Sequence, residues 1–316
     1  MAFASIDTGS NTFRLLIAEP STGPNPWERV EYAHRMTRLG EGLHHTGRLC
    51  EAGMDRAIES YKVFAELLNK HGIPAERTFA AATAAMREAE NGQAFAERVK
   101  AETSIEIQII SGVDEARMSL AGASSVLAPA TKEDMLLFDI GGASTEFIRA
   151  QNGDRIDDIS RKMGVVRLVE AHLHSNPPSI DDYEALKAAT NEHLAAVEAH
   201  WPDHRAPRHL VGTAGTVTTL AATALDLCPY DAEKINNYRM SKTAFFALRD
   251  RLLAMTHEER QQIRTIEAGR ADLIIAGLAI VEAVIERWNY EELITVDAGL
   301  IEGLWLQIAN STSSTS

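Results

Sequence analysis

Two stretches of this chain follow one plan. Between Ala2 and Ala18, "FASID" and "FRLLIA" read as short apolar strands joined by "TGSN", whose Gly and Asn suit a tight hairpin; a third strand is expected from Glu28 to Thr37. The order returns as "DMLLFD", a glycine loop, "TEFIRA" and "DRIDDISRKM". Repetition of strand, turn, strand and third strand, without repetition of sequence, implies two related halves with a boundary near residues 120 to 130.

The 316 residues suffice for two domains of ordinary size, each with its own core. Met54, Ile58, Tyr61, Phe64, Ala65 and Leu68 recur at helical spacing, and the pattern stops at Gly72 before Pro74. Further helices are expected over "AFAERVKAET", "SGVDEARMSLAGASSVL", "IDDYEALKAATNEHLAAVEAHW", "KTAFFALRDRLLAM" and "AGRADLIIAGLAIVEAVIERW". The apolar part of the last one suits core or inter-domain packing better than a membrane span. "ERTFAAAT", "IEIQII" and "ELITVD" read as strands, "RHLVGTAGTVTTLAATAL" as a strand, a Gly-Thr loop and a helix, and the closing "STSSTS" as a frayed end. The class is α/β.

A net charge of −14 argues against a nucleic-acid partner, so an anionic ligand would need a local basic pocket. "MAFASIDTGS" lacks the basic start and apolar core of a signal peptide, and no apolar run is long enough to span a bilayer. A cytoplasmic protein without a membrane partner is expected. Cys50 and Cys228 fit neither a disulfide framework nor metal-ligand spacing and read as reduced structural residues.

Four loops share a layout of glycine and small polar residues after an apolar strand: "IDTGSN" (6–11), "FDIGGAST" (138–145), "LVGTAGTVT" (210–218) and "TVDAGL" (295–300). Glycine admits positive φ and lets backbone N–H groups approach a ligand, so such loops can line a phosphate cavity. Where a helix starts just after, as past Gly215, its positive end adds attraction for an anion. Asp7, Asp139 and Asp297 end their strands. One such acid is most simply a turn cap, whereas three in equivalent positions suggest a hydrated Mg²⁺, with Glu146 able to face the same cavity.

These features resemble the acetate and sugar kinase, Hsp70 and actin superfamily and, within it, the exopolyphosphatase and guanosine pentaphosphate phosphohydrolase family. The resemblance is carried by "IDTGSNTFRLLI", "RLGEGL", "ATAAMREAEN", "IISGVDEA", "FDIGGASTEF", "GTAGTVTTLAA", "GRADLIIAGLAI" and "VDAGLIEGL" in order along the chain, which resembles the short, two-domain members. It implies two ribonuclease H-like, actin-like ATPase domains facing each other across an active-site cleft: residues 1–122 and 123–301, with a last helix at about 302–316 packing back on the first. It also implies cleavage of terminal phosphate from inorganic polyphosphate, with guanosine pentaphosphate as the rival substrate, and a homodimer. An ATP-linked phosphotransferase or a weakly active polyphosphate-binding regulator are the alternatives outside that activity.

By the same resemblance, Glu115 matches the carboxylate that orients and deprotonates the attacking water, against the plainer reading of a solvated acid in a helix's first turn. Asp139 and Glu146 match acids linked to Mg²⁺. Asp7, Gly9, Ser10 and Asn11 match the first phosphate loop, Gly141, Gly142, Ser144 and Thr145 the second, and Gly212, Thr213, Gly215 and Thr216 the third. Arg14 and Arg87 match positions suited to phosphate contact, which guanidinium groups make bidentately, although either could be a surface arginine. Three departures stand out. Ala143 replaces a third glycine, which would strain the loop if that position needed positive φ; Ile301 replaces an arginine; and Asp114 is a shorter acid than the usual Glu.

Overall fold

The computed structural model describes residues 1–23, 25–201 and 205–313. The chain divides into two compact units, Met1–Val126 with Ala298–Ser316, and Leu127–Asp297.

The first unit opens with strands β1 (Phe3–Thr8), β2 (Thr12–Pro20) and β3 (Trp27–Met36), an antiparallel meander, and adds β4 (Thr78–Ala82) and β5 (Ile107–Ile109) parallel to β1. The sheet order is β3-β2-β1-β4-β5. Helices α1 (Leu43–Thr46), α2 (Glu51–Lys70), α3 (Ala84–Glu88), α4 (Gly92–Thr103) and α5 (Gly112–Val126) complete this part. Alternate residues point to opposite faces of a strand, so Ile6, Phe13, Leu15 and Ile17 pack with Tyr61 and Phe64 of α2, while Phe3, Leu16 and Ala18 face the other way. Both faces are buried, which is why "LLIA" reads as an unbroken apolar run.

The second unit repeats the meander as β6 (Met135–Ile140), β7 (Thr145–Gln151) and β8 (Asp154–Arg161) after α6 (Pro129–Lys132), and β9 (His209–Thr213) lies parallel to β6. Helices α7 (Val165–His172) and α8 (Ile180–His200) connect β8 to β9. Then come α9 (Ala214–Ala224), α10 (Ala232–Ile235), β10 (Tyr238–Ser241), α11 (Lys242–Leu253), α12 (His257–Gln261), α13 (Leu273–Trp288) and β11 (Glu292–Thr295). The order β10-β11-β9-β6-β7-β8 is that of the first unit with one antiparallel edge strand added. Residues 273–285 of α13 are all buried in this unit's core. Among the described residues, no helix is long and apolar enough to cross a membrane.

The last helix, α14 (Leu300–Ser313), belongs to the first unit. It covers the face opposite α2, where Trp305 Nε1 donates to the carbonyls of Phe3 and Ala18 and Ser5 Oγ donates to that of Ile301. A Cβ on Gly122 would lie 1.9 Å from Gly299 O, and one on Gly303 would lie 1.9 Å from Met118 O. Helices α5 and α14 therefore meet backbone to backbone. Because α5 runs unbroken to Val126, the units divide at 126/127 and 297/298. Of the expected frayed tail, residues 314–316 lie outside the described residues.

Candidate active site

The two hairpins can be aligned on one rung each. Asp7 faces Arg14 across β1 and β2, and Asp139 faces Glu146 across β6 and β7. The turns match as well: Gly9 N donates to Thr12 O at 3.2 Å, and Gly141 N to Ser144 O at 2.9 Å. In this alignment Ala143 stands where the first hairpin has Asn11. Neither Gly9 nor Gly141 uses positive φ; each is small because a Cβ would approach the carbonyl of Thr12 or Ser144 to 2.9 or 3.0 Å. Ala143 is not among the described residues with positive φ. The strain expected there does not arise.

In the first unit, Arg14 lies 3.6 Å from the buried Asp7 carboxylate, so this arginine is engaged within its own hairpin. Glu115, in the first turn of α5 and 7% exposed, accepts from Arg87 Nη1 at 3.1 Å. The same nitrogen donates to Ile110 O at 2.9 Å. The expected base and an expected phosphate ligand thus form one pair. Asp114 is bonded instead to Ser111 and Arg117 on the exposed side of the helix.

In the second unit, Glu146 is buried and accepts from Ser160 Oγ at 2.8 Å. Asp139 and Glu146 face each other on neighbouring strands and are both hard oxygen donors. Mg²⁺ takes one or two such ligands and completes its shell with water and phosphate, so Asp139 and Glu146 fit it. Asp297 does not join a three-acid set: its Oδ1 accepts from the Tyr230 hydroxyl at 2.5 Å and its N–H donates to Asn236 Oδ1.

Several expected phosphate contacts have other occupations. The Thr145 hydroxyl, fully buried, donates to Met163 O. Gly212 sits inside β9, where its carbonyl accepts from Val296 N and a Cβ would press on Phe138 and Val217. Thr216 is buried with Cγ2 against Gly277 of α13. No loop separates β9 from α9; Ala214, at φ 67°, makes the turn alone. Thr213 ends β9 buried, and Ser10, Asn11 and Ser144 are buried too, so these loops can offer a ligand mainly backbone N–H groups. Gly215 lies in the first turn of α9, under a residue that sequence reading left without a role: a Cβ there would be 1.9 Å from Arg270 Nη1. Arg270 is tied to Glu267 at 2.9 Å and puts a cation at a helix start suited to anions. Its signal was its place in the "GRADLIIAGLAI" block.

The model of the Ppx/GppA phosphatase family matches residues 23–312. The chain belongs to that family. Ppx/GppA membership brings the enzyme class with it, a phosphoanhydride hydrolase. Exopolyphosphatase 2 of Mycobacterium tuberculosis is 32% identical over 97% of this chain and 98% of its own length. The crystal structure of an exopolyphosphatase from Cytophaga hutchinsonii matches with a TM-score of 0.90 at 28% identity, covering 98% of both chains. The Aquifex aeolicus member of the Ppx/GppA family matches at 0.81 and 30% identity, covering 100% of this chain and 99% of that one.

Proposed function

We propose that this Ppx/GppA protein is a Mg²⁺-dependent exopolyphosphatase that releases terminal phosphate from inorganic polyphosphate by attack of water. The observation that carries this reading is the Arg87–Glu115 pair, a nearly buried carboxylate at a helix start, aimed by a guanidinium. Glu115 orients the water and takes its proton. Amides of the hairpin loops bind phosphate oxygens, so the chain's work is positioning and charge neutralisation. Asp139 and Glu146 hold Mg²⁺, which offsets phosphate charge when bound.

Polyphosphate is preferred to guanosine pentaphosphate because the curated relative matched over nearly its full length is named an exopolyphosphatase. The deciding experiment measures phosphate release from short polyphosphate, long polyphosphate and guanosine pentaphosphate, each with and without Mg²⁺. Polyphosphate turnover that needs Mg²⁺ and falls about 100-fold or more in Glu115→Gln supports the reading. Release at the wild-type rate by that variant sinks it.

A further inference from the structure

In each unit, the segment that follows the third strand of the meander ties down the carbonyls of the hairpin loop. After β3, Thr37 N and Arg38 N donate to Asn11 O at 2.9 and 3.0 Å, and Gly40 N to Ser10 O at 2.8 Å. After β8, Val165 N donates to Gly141 O at 3.0 Å and Val166 N to Gly142 O at 2.9 Å. In a trans peptide the C=O and N–H point in opposite directions. Fixing the Ser10 and Gly142 carbonyls on one side therefore turns the N–H groups of Asn11 and Ala143, equivalent in the two hairpins, to the other.

The straps are close-fitting. A Cβ on Gly164 would lie 2.2 Å from Gly142 O and 2.4 Å from the Ala143 carbonyl carbon, both backbone atoms that cannot swing aside. The first strap contains Arg38 at φ 48°, a backbone that non-glycine residues seldom adopt, and it is gripped from α2. Arg56 Nε donates to Thr37 O at 2.7 Å, and its Nη2 to Glu41 at 3.0 Å.

We propose that the two straps aim the Asn11 and Ala143 amides at phosphate and that Gly164 and Arg56 are positioning residues for its binding. The proposal rests on the reading of these loops as phosphate sites. It also accounts for the tolerance of alanine at 143, since the group used is the amide and not the side chain.

The test measures tripolyphosphate affinity by calorimetry, alongside KM and kcat on polyphosphate and the Tm, for Gly164→Ala and Arg56→Ala. Glu282→Gln, which breaks the buried network with Lys187 and Arg249, serves as a purely structural lesion. Losing a bond to a charged group weakens binding by about tenfold or more. Gly164→Ala should raise Kd and KM by that amount and Arg56→Ala severalfold, each with a smaller effect on kcat, whereas Glu282→Gln lowers Tm and leaves KM in place. Folded strap variants that bind tripolyphosphate like wild type overturn the proposal. Should Gly164→Ala fail to fold, Arg56→Ala decides alone. Wild-type protein that binds tripolyphosphate without cleaving it, with affinity lost in the variants, upholds the straps and refutes the hydrolase reading.

Discussion

Arg87 Nη1 bridges the Glu115 carboxylate, at 3.1 Å, and the carbonyl of Ile110, at 2.9 Å, so one guanidinium fixes both the acid and the chain leading into its helix. Groups that share a bond of this kind do not act independently. Arg87→Ala is expected to lower kcat about 10-fold to 100-fold, a loss of the size seen when a general base is misplaced. The double variant with Glu115→Gln should be little worse than Glu115→Gln alone. Fully additive losses in rate measurements would show that the two residues work separately.

Ser160 has no role assigned from sequence, yet its hydroxyl holds Glu146 at 2.8 Å. Partners of metal-binding carboxylates typically affect affinity about 10-fold to 100-fold. Ser160→Ala should raise the Mg²⁺ concentration for half-maximal phosphate release by about tenfold, and Glu146→Gln by more. A Mg²⁺ titration that does not move in either variant contradicts the assignment.

Away from the loops, the buried Glu282 of α13 accepts from Lys187 at 2.6 Å, Tyr183 at 2.7 Å and Arg249 at 2.8 Å. Burial opposes its charge, but these bonds outweigh it and hold the carboxyl below its ordinary 4.5. A depressed folded-state value means that the unfolded chain takes up the proton first. The stabilisation is therefore complete above about pH 4.5 and declines as pH falls toward the folded value. Glu282→Gln is expected to destabilise by about 3 kcal/mol at neutral pH and to flatten the acid limb of a plot of stability against pH. An unchanged acid limb in denaturant titrations would exclude Glu282 as its source.

Ala143 lies outside the positive-φ region, so glycine there relieves nothing and adds freedom to the unfolded chain. Ala143→Gly should lower stability by about 0.5–1 kcal/mol, read as a fall in Tm. A rise in Tm would reveal the strain that the sequence led one to expect.

Much of the fold could be read from sequence because its signals are local. The two meanders announce themselves by apolar runs broken at glycine, and α2 by its spacing and its stop at Gly72. The four residues of β10 are too few for a pattern to emerge, and the five of α12 carry no apolar period, although Thr256 and Glu259 form its capping box. The acids and loops of the candidate site were legible as residue types. Their partners were not: the inward hydroxyl of Thr145, the methyl of Thr216 against Gly277 and the guanidinium over Gly215 all depend on distant segments. Glycine proved ambiguous for the same reason. Gly9, Gly141 and Gly215 look alike in sequence, yet the first two are pressed by the carbonyl three residues on and the third by a guanidinium from a distant segment.

The matched rungs of the two hairpins have a consequence for electrostatic balance. In the first, the acid at position 7 faces an arginine, and the pair carries its own counter-ion. In the second, the acid at 139 faces another acid, so the same scaffold sets two carboxyl groups on one rung. One sign reversal, Arg14 against Glu146, makes two copies of a hairpin unequal: the first pairs its acid with a cation on the same rung, and the second sets acid against acid there.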